Sequence, residues 1–292
     1  MSTTEALQLD YQEPRRQQAA FFRRLLGRPT AALAAVVVVG LVVGCALAPL
    51  FAPYSPTEFD YARLFAGPSW AHLFGTDELG RDLLSRILYG GRTSLGIAAL
   101  ATVIAMIAGT VWGFVAAFRK GWFGELLMRA ADVTLGMPVL LIGLVLVAAF
   151  GSSIVSLTLI LGILFAPATA RLARSAILAE LESDYYLAAT SVGGTPRRLI
   201  FEELLPNTMP VLLARASIVA ADAIFIEASL SFLGLGVQPP AASWGTMLNN
   251  GYASLYSSYW YAIFPGLVIV VAVLALNTLG SHLQRVLDPA RG

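Results

Sequence analysis

The sequence predicts an all-α integral membrane protein with six transmembrane helices. Three observations carry that expectation. Of the 292 residues, 57% are hydrophobic and only 13% charged, whereas a soluble domain carries about a quarter charged residues. Uncharged runs recur at lengths suited to a bilayer, which a helix of about 20 apolar residues crosses. Arg and Lys gather in alternate connecting segments, as the positive-inside bias demands.

The spans follow in order. No charge falls between Arg28 and Glu58, which places the first span at 30–52 behind a cytoplasmic segment, 1–29. That apolar run is longer than a signal-peptide core and lacks a small-residue cleavage site, so it is expected to remain as a span. The uncharged stretch between Arg92 and Arg119 gives a second span near 93–118. The stretch from Val133 to Ala170 is too long for one helix, and Gly151-Ser152-Ser153 is its natural turn, giving spans at 133–150 and 154–171. The fifth span, 208–235, contains Arg215, Asp222 and Glu227; the sixth lies at 260–281. The membrane-spanning body is thus expected to run from 30 to 292.

Charge sets the orientation. With a cytoplasmic N-terminus, fourteen of the 19 basic residues fall inside: Arg15, Arg16, Arg23, Arg24, Arg28, Arg119, Lys120, Arg129, Arg171, Arg174, Arg197, Arg198, Arg285 and Arg291. Only Arg63, Arg81, Arg86 and Arg92 fall outside, and Arg215 is within a span. Both termini are therefore expected in the cytoplasm.

Two outer segments are long. In 74–95, FGTDELGRDLLSRILYGGRTSL, the residues Leu83, Leu84, Ile87 and Leu88 share a helical face, which suits a segment lying flat at the interface. In 236–259, Pro, Gly and Asn forbid one continuous helix, and Trp244, Tyr252, Tyr256, Tyr259, Trp260 and Tyr261 suit an interfacial aromatic belt. These segments read either as linkers or as a docking surface.

Several chemistries are excluded. A net charge of +1 gives no argument for nucleic acid. The single Cys45 sits in an apolar run and excludes a disulfide framework. His72 and His282 lie too far apart to suggest a metal. There is no G-x-x-x-x-G-K-[ST] phosphate loop and no paired nucleophile and base.

The stretch 184–207, DYYLAATSVGGTPRRLIFEELLPN, differs from its surroundings. A helical pattern from 176 to 191 is broken by Gly193-Gly194. Thr195 is then a good N-cap, and Pro196 suits the first helical position. A short amphipathic helix follows, with Ile200, Phe201, Leu204 and Leu205 apolar, and is expected to stop at Pro206. So short a helix is unstable alone and must pack on its own spans or enter a groove on a partner.

These residues carry a resemblance. The stretch resembles the EAA loop of the membrane subunits of bacterial ABC importers, with Leu187, Ala188, Ala189, Gly193, Leu205 and Pro206 at the pattern positions. Leu187 departs from it, standing where the family has Glu. The segment 74–95, the segment 227–248 (EASLSFLGLGVQPPAASWGTML) and Leu287-Asp288-Pro289 are similar to the C-type permease of the dipeptide, oligopeptide and nickel branch.

The resemblance implies the type I importer permease fold, with half of a translocation pathway completed by a sister permease. It implies an extracytoplasmic solute-binding protein, two ATP-binding subunits that use ATP and Mg, no cofactor on this chain, and a bacterial inner membrane. It implies an ATPase-coupling loop over about 176–207, including Gly194, Thr195, Pro196 and Arg197. Asp77, Arg81, Gln238 and Trp244 become candidates for the binding-protein side. Asp222 and Glu227, charged within a span, are candidates for the pathway or the permease interface. The alternative reading is an ion-coupled secondary transporter, which would show internal repeats; none is evident.

Overall fold

Each uncharged run forms helix, and the boundaries that differ from expectation do so for local reasons. The computed structural model describes residues 27–119, 121–239 and 241–287. Most of the expected cytoplasmic segment 1–29, Lys120, Pro240 and the Asp288-Pro289 ending with Arg291 lie outside the described residues.

The first helix, α1 (Pro29–Ala46), opens on a proline suited to a helix start and is followed by the single turn α2 (Ala48–Phe51). The next, α3 (Leu83–Phe118), starts ten residues before the expected boundary at 93. The segment expected to lie flat is therefore the beginning of the spanning helix. Asp82 caps it by accepting from the Ser85 N–H at 2.8 Å, and Leu83 and Ile87 are buried.

The expected span 133–150 is not one helix. It divides between α4 (Trp122–Leu135) and α5 (Val139–Phe150), which meet at 91°. Met137 precedes Pro138, and a residue in that position is pushed out of the helical region. Pro138 itself is extended at ψ 119°. The 12 residues of α5 rise about 18 Å, short of the roughly 30 Å hydrocarbon layer.

Gly151-Ser152-Ser153 does form the expected turn: Ser153 caps α6 (Ile154–Leu181), accepting from the Ser156 N–H at 3.0 Å. This helix runs ten residues past 171 and ends at Glu182. The expected continuous helix 176–191 is thus interrupted, because extended Ser183 starts a separate helix, α7 (Asp184–Ser191).

The expected stop at Pro206 does not occur. A turn at Pro196–Arg198, a π-helical segment at Leu199–Leu204 and α8 (Leu205–Leu230) follow without interruption, and a second segment, Ser231–Leu235, closes the run with a kink at Gly234, whose φ is 82°. In regular α-helix the Pro206 ring would strike the Glu202 carbonyl. Widening to i→i+5 bonding before it relieves that clash. After a loop come α9 (Trp244–Ala253), held by a reciprocal capping box between Ser243 and Thr246, and α10 (Trp260–Leu287).

Five helical runs are long and apolar enough to cross a membrane: Pro29–Ala46, Leu83–Phe118, Ile154–Leu181, Leu199–Leu235 and Trp260–Val286. The bent pair α4–α5 makes a sixth if counted as one crossing. The most extensive pairing is α3 against α6. It rests on small side chains, with Ala101, Ala105, Gly109 and Gly113 of α3 buried against Gly162, Ala166, Ala170 and Ala173 of α6. Lipid supplies no hydrophobic drive between spans, so close backbone approach through small residues takes its place. Polar ties fix the remaining helices. Thr30 Oγ1 meets His282 Nε2 at 3.0 Å between α1 and α10, Trp112 Nε1 donates to the Leu127 carbonyl at 3.2 Å, and Arg171 pairs with Asp132.

Candidate functional site

Three places in the bundle gather the polar and exposed residues singled out by sequence. The first is the end carrying α7. Gly193 adopts φ 82°, the left-handed conformation that ends many helices and favours glycine. Its N–H donates to the Thr190 carbonyl at 3.0 Å, and the Gly194 N–H to that of Ala189 at 3.1 Å. Thr195 then starts the next helix, its carbonyl accepting from the Leu199 N–H at 3.0 Å. Arg198 pairs with Glu202 at 3.0 Å, both exposed. Leu199 and Leu204 are buried and anchor the turn.

The apolar residues left outside are the notable ones. No residue of α7 is buried, and Leu187, Val192 and Phe201 are 51%, 89% and 66% exposed. Ala188 is exposed, as are Arg197 and Pro206, while Ala189 and Leu205 are half-buried. Tyr185 donates to Glu180 at 2.5 Å. Partial burial and then the Glu180 carboxylate raise its phenol above the ordinary value.

The second place is the opposite end, where α9 packs under α3 and α8. Glu227 is fully buried. Ser94 of α3 donates to its Oε2 at 3.1 Å, and Ser231 donates to its Oε1 at 2.7 Å. Ser243, at the start of α9, reaches Ser231 Oγ at 3.4 Å. The Trp244 N–H donates to Ser94 Oγ at 3.1 Å and its indole N–H to the Ile87 carbonyl at 2.9 Å. The indole lies directly on Gly91, where an added Cβ would stand 2.8 Å from Cζ2. Glu227 is thus a clasp joining three segments.

Trp244 and Asp77, two of the four outer candidates, are likewise inside the fold. Asp77 Oδ2 accepts from Arg81 Nε at 2.6 Å and lies 3.2 Å from Arg86 Nε. A carboxylate between two guanidiniums is a scaffold for this loop. Arg81 is half-buried and Gln238 exposed, the latter donating to the Gly236 carbonyl at 3.0 Å. Of the expected aromatic belt, Tyr252, Tyr256 and Tyr259 are exposed, whereas Trp244 and Tyr261 are core residues.

Sequence reasoning missed the partners Ser94, Ser231 and Ser243. Only the i,i+4 spacing of Glu227 and Ser231 was a readable signal. It also missed His72, whose Nδ1 lies 3.0 Å from Asp82 Oδ1 while Ser85 Oγ donates to Asp82 Oδ2 at 2.8 Å. These three residues brace the loop before α3. The serine bonds the carboxylate and not the imidazole, so they are not arranged as a nucleophile and its base.

The third place is a cleft of about 310 Å³ at the α4–α5 bend, lined by Thr134, Met137 and Phe165 among others, with Arg215 and Asp222 of α8 both on its wall. Among the described residues, no group of three His, Cys, Asp or Glu is placed to hold a metal ion.

Comparison with known proteins now adds to this geometry. The family described as "Binding-protein-dependent transport system inner membrane component" matches residues 109–292. The N-terminal TM domain of oligopeptide transport permease C matches residues 17–68. The Di/tripeptide transport system permease protein DppC of Pseudomonas aeruginosa is 41% identical over 88% of this chain and 88% of its own length. The Dipeptide transport system permease protein DppC of Escherichia coli is 39% identical over 92% and 91%. Among solved structures, an inward-facing MetNI methionine ABC transporter aligns with TM-score 0.57 at 18% identity, covering 70% of this chain and 96% of that one.

Proposed function

Because the chain belongs to the family of binding-protein-dependent transport system inner membrane components, we propose that it forms half of the translocation pathway of an ATP-driven importer of short peptides. The names of its dipeptide and di/tripeptide relatives support that cargo. Its partners are a sister permease, two ATP-binding subunits and an extracytoplasmic solute-binding protein. ATP and Mg are used by the ATP-binding subunits; this chain binds no cofactor and catalyses no reaction itself. It resides in a bacterial inner membrane with both termini cytoplasmic, as one permease body from 30 to 292 behind the segment 1–29. The exposed residues of the loop 236–259, with Gln238, face the binding protein.

The observation that carries the coupling role is the exposed apolar side chains of α7, the turn after it and the π-segment: Leu187, Val192 and Phe201. Apolar side chains grouped at the end of two long helices call for a partner groove. The ATPase-coupling loop thus comprises Leu187, Ala188, Ala189, Gly193, Gly194, Thr195, Pro196, Arg197, Leu205 and Pro206. Helix continues from Pro196 to Leu233, so displacement of the loop by closing ATPases moves that run as a rod. The path then alternates between outward and inward access.

Gly193→Val tests this. An added Cβ at Gly193 would meet nothing within 4 Å, so the cost is confined to a left-handed backbone, about 1–2 kcal/mol. Membrane insertion is expected to persist. ATP hydrolysed per peptide imported, measured in proteoliposomes containing the whole importer, is expected to rise severalfold. Wild-type coupling in that variant refutes the lever.

A further inference from the structure

The cleft at the α4–α5 bend is unlike the rest of the bundle interior. Arg215 and Asp222 both line it, and its other walls are apolar apart from the Thr134 hydroxyl. Both charges lie within the apolar run Leu199–Leu235, where an ionised side chain is costly and is kept for a partner or a path. Yet no ion pair joins them among the described residues, and Arg215 Nε is buried without a hydrogen-bond partner. Two opposite charges thus share one cavity without a direct ion pair.

Their spacing defines what would bridge them. Seven residues along α8 set their Cα atoms about 10 Å apart along the helix axis, two turns on nearly one face. A free amino acid carries its ammonium and carboxylate on one carbon, a much shorter span than that backbone separation. An extended peptide adds about 3.3–3.6 Å per residue, so the two ends of a di- or tripeptide stand roughly 7–10 Å apart. Guanidinium recognises carboxylate through paired donors, and carboxylate accepts from an ammonium. The apolar walls leave room for side chains of varied shape. We propose that Arg215 and Asp222 form a transit site for the terminal carboxylate and terminal ammonium of a short peptide. This rests on the peptide-import reading above and adds a site within the permease that selects zwitterionic ends.

The test uses the complete importer in proteoliposomes with its binding protein, whose affinity for each probe is measured separately and divided out. The probes are dialanine, its C-terminal amide and its N-acetyl form. Arg215→Gln is expected to lower dialanine uptake about tenfold and amide uptake less than twofold. Asp222→Asn is expected to do the same for dialanine against the N-acetyl form. Equal losses for free and capped peptides overturn the site and mark the two charges as a latch between spans. A wild-type importer that carries none of the three overturns the peptide reading itself, a different failure. A second measurement avoids any folding defect of those variants. In the assembled complex with Ala168→Cys, which lines the cleft, millimolar dialanine is expected to slow alkylation by N-ethylmaleimide at least threefold, and N-acetyl-dialanine amide to leave it unchanged. Equal alkylation rates with and without dialanine overturn the site.

Discussion

Replacing Gly109 by alanine adds one methyl group where α3 lies against α6. Two effects oppose each other. Alanine favours helix over glycine by about 1 kcal/mol. Against this, the new Cβ would stand 2.6 Å from Thr169 Cβ, about 1 Å inside the optimal carbon–carbon separation, and would also meet the Ala166 carbonyl. Neither obstacle can rotate away, since one is backbone and the other is fixed to it. Overpacking of this kind costs about 1–3 kcal/mol. Gly96 on the same helix is the control, because nothing lies within 4 Å of a Cβ there. Gly96→Ala keeps the propensity gain alone, so the difference between the two variants isolates the steric cost. Gly162→Ala, on the facing helix, meets an obstacle of the same kind: its Cβ would stand 2.6 Å from Ile104 Cγ2 and 2.7 Å from Ile104 Cβ, the latter fixed to backbone. Thermal unfolding of the co-purified complex in detergent is expected to place Gly96→Ala above both Gly162→Ala and Gly109→Ala. If Gly109→Ala melts at or above Gly96→Ala, the α3–α6 contact is looser than described and the argument from close backbone approach fails.

Two further outcomes follow from the polar clasp and the exposed loop. Glu227→Ala strands the Ser94 and Ser231 hydroxyls in the interior, at about 1–3 kcal/mol each, whereas Glu227→Gln retains an acceptor; the alanine variant is expected to melt clearly lower, and equal melting would mean that the serines find other partners. Leu187→Ala is expected to leave the melting temperature of the permease unchanged, since the side chain is half exposed, and to weaken ATPase-subunit binding about tenfold in a titration, the roughly 1.4 kcal/mol of an ordinary interface anchor; unchanged affinity would remove Leu187 from the docking surface.

The chain by itself determined what depends on local pattern. Uncharged runs marked membrane helices because the cost of charge in hydrocarbon acts on every residue of a span. Gly151-Ser152-Ser153 and Gly193-Gly194 marked turns because their chemistry works within a few residues. Pro138 was readable by the same logic, yet its bend was missed because the uncharged pattern runs unbroken across it. Pro206 was misjudged in the opposite sense: a proline need not stop a helix, as Pro167, Pro210 and Pro265 inside helices also show, and at Pro206 the preceding turn widens into the π-segment Leu199–Leu204. Tertiary structure alone decided which exposed-looking residues are internal. Asp77 and Trp244 read as surface chemistry in a polar loop, but Arg81 and Arg86 enclose the first and Gly91 receives the second. Glu227 finds Ser94 across 133 residues of chain, and no periodicity in the sequence encodes that meeting. Arg215 and Asp222 were visible as charges in a span, but only the α4–α5 bend opens the cleft they share. The physical division is one of range: propensity and hydropathy act through neighbours in sequence, while burial, hydrogen-bond satisfaction and cavity shape depend on segments that meet only when the helices pack.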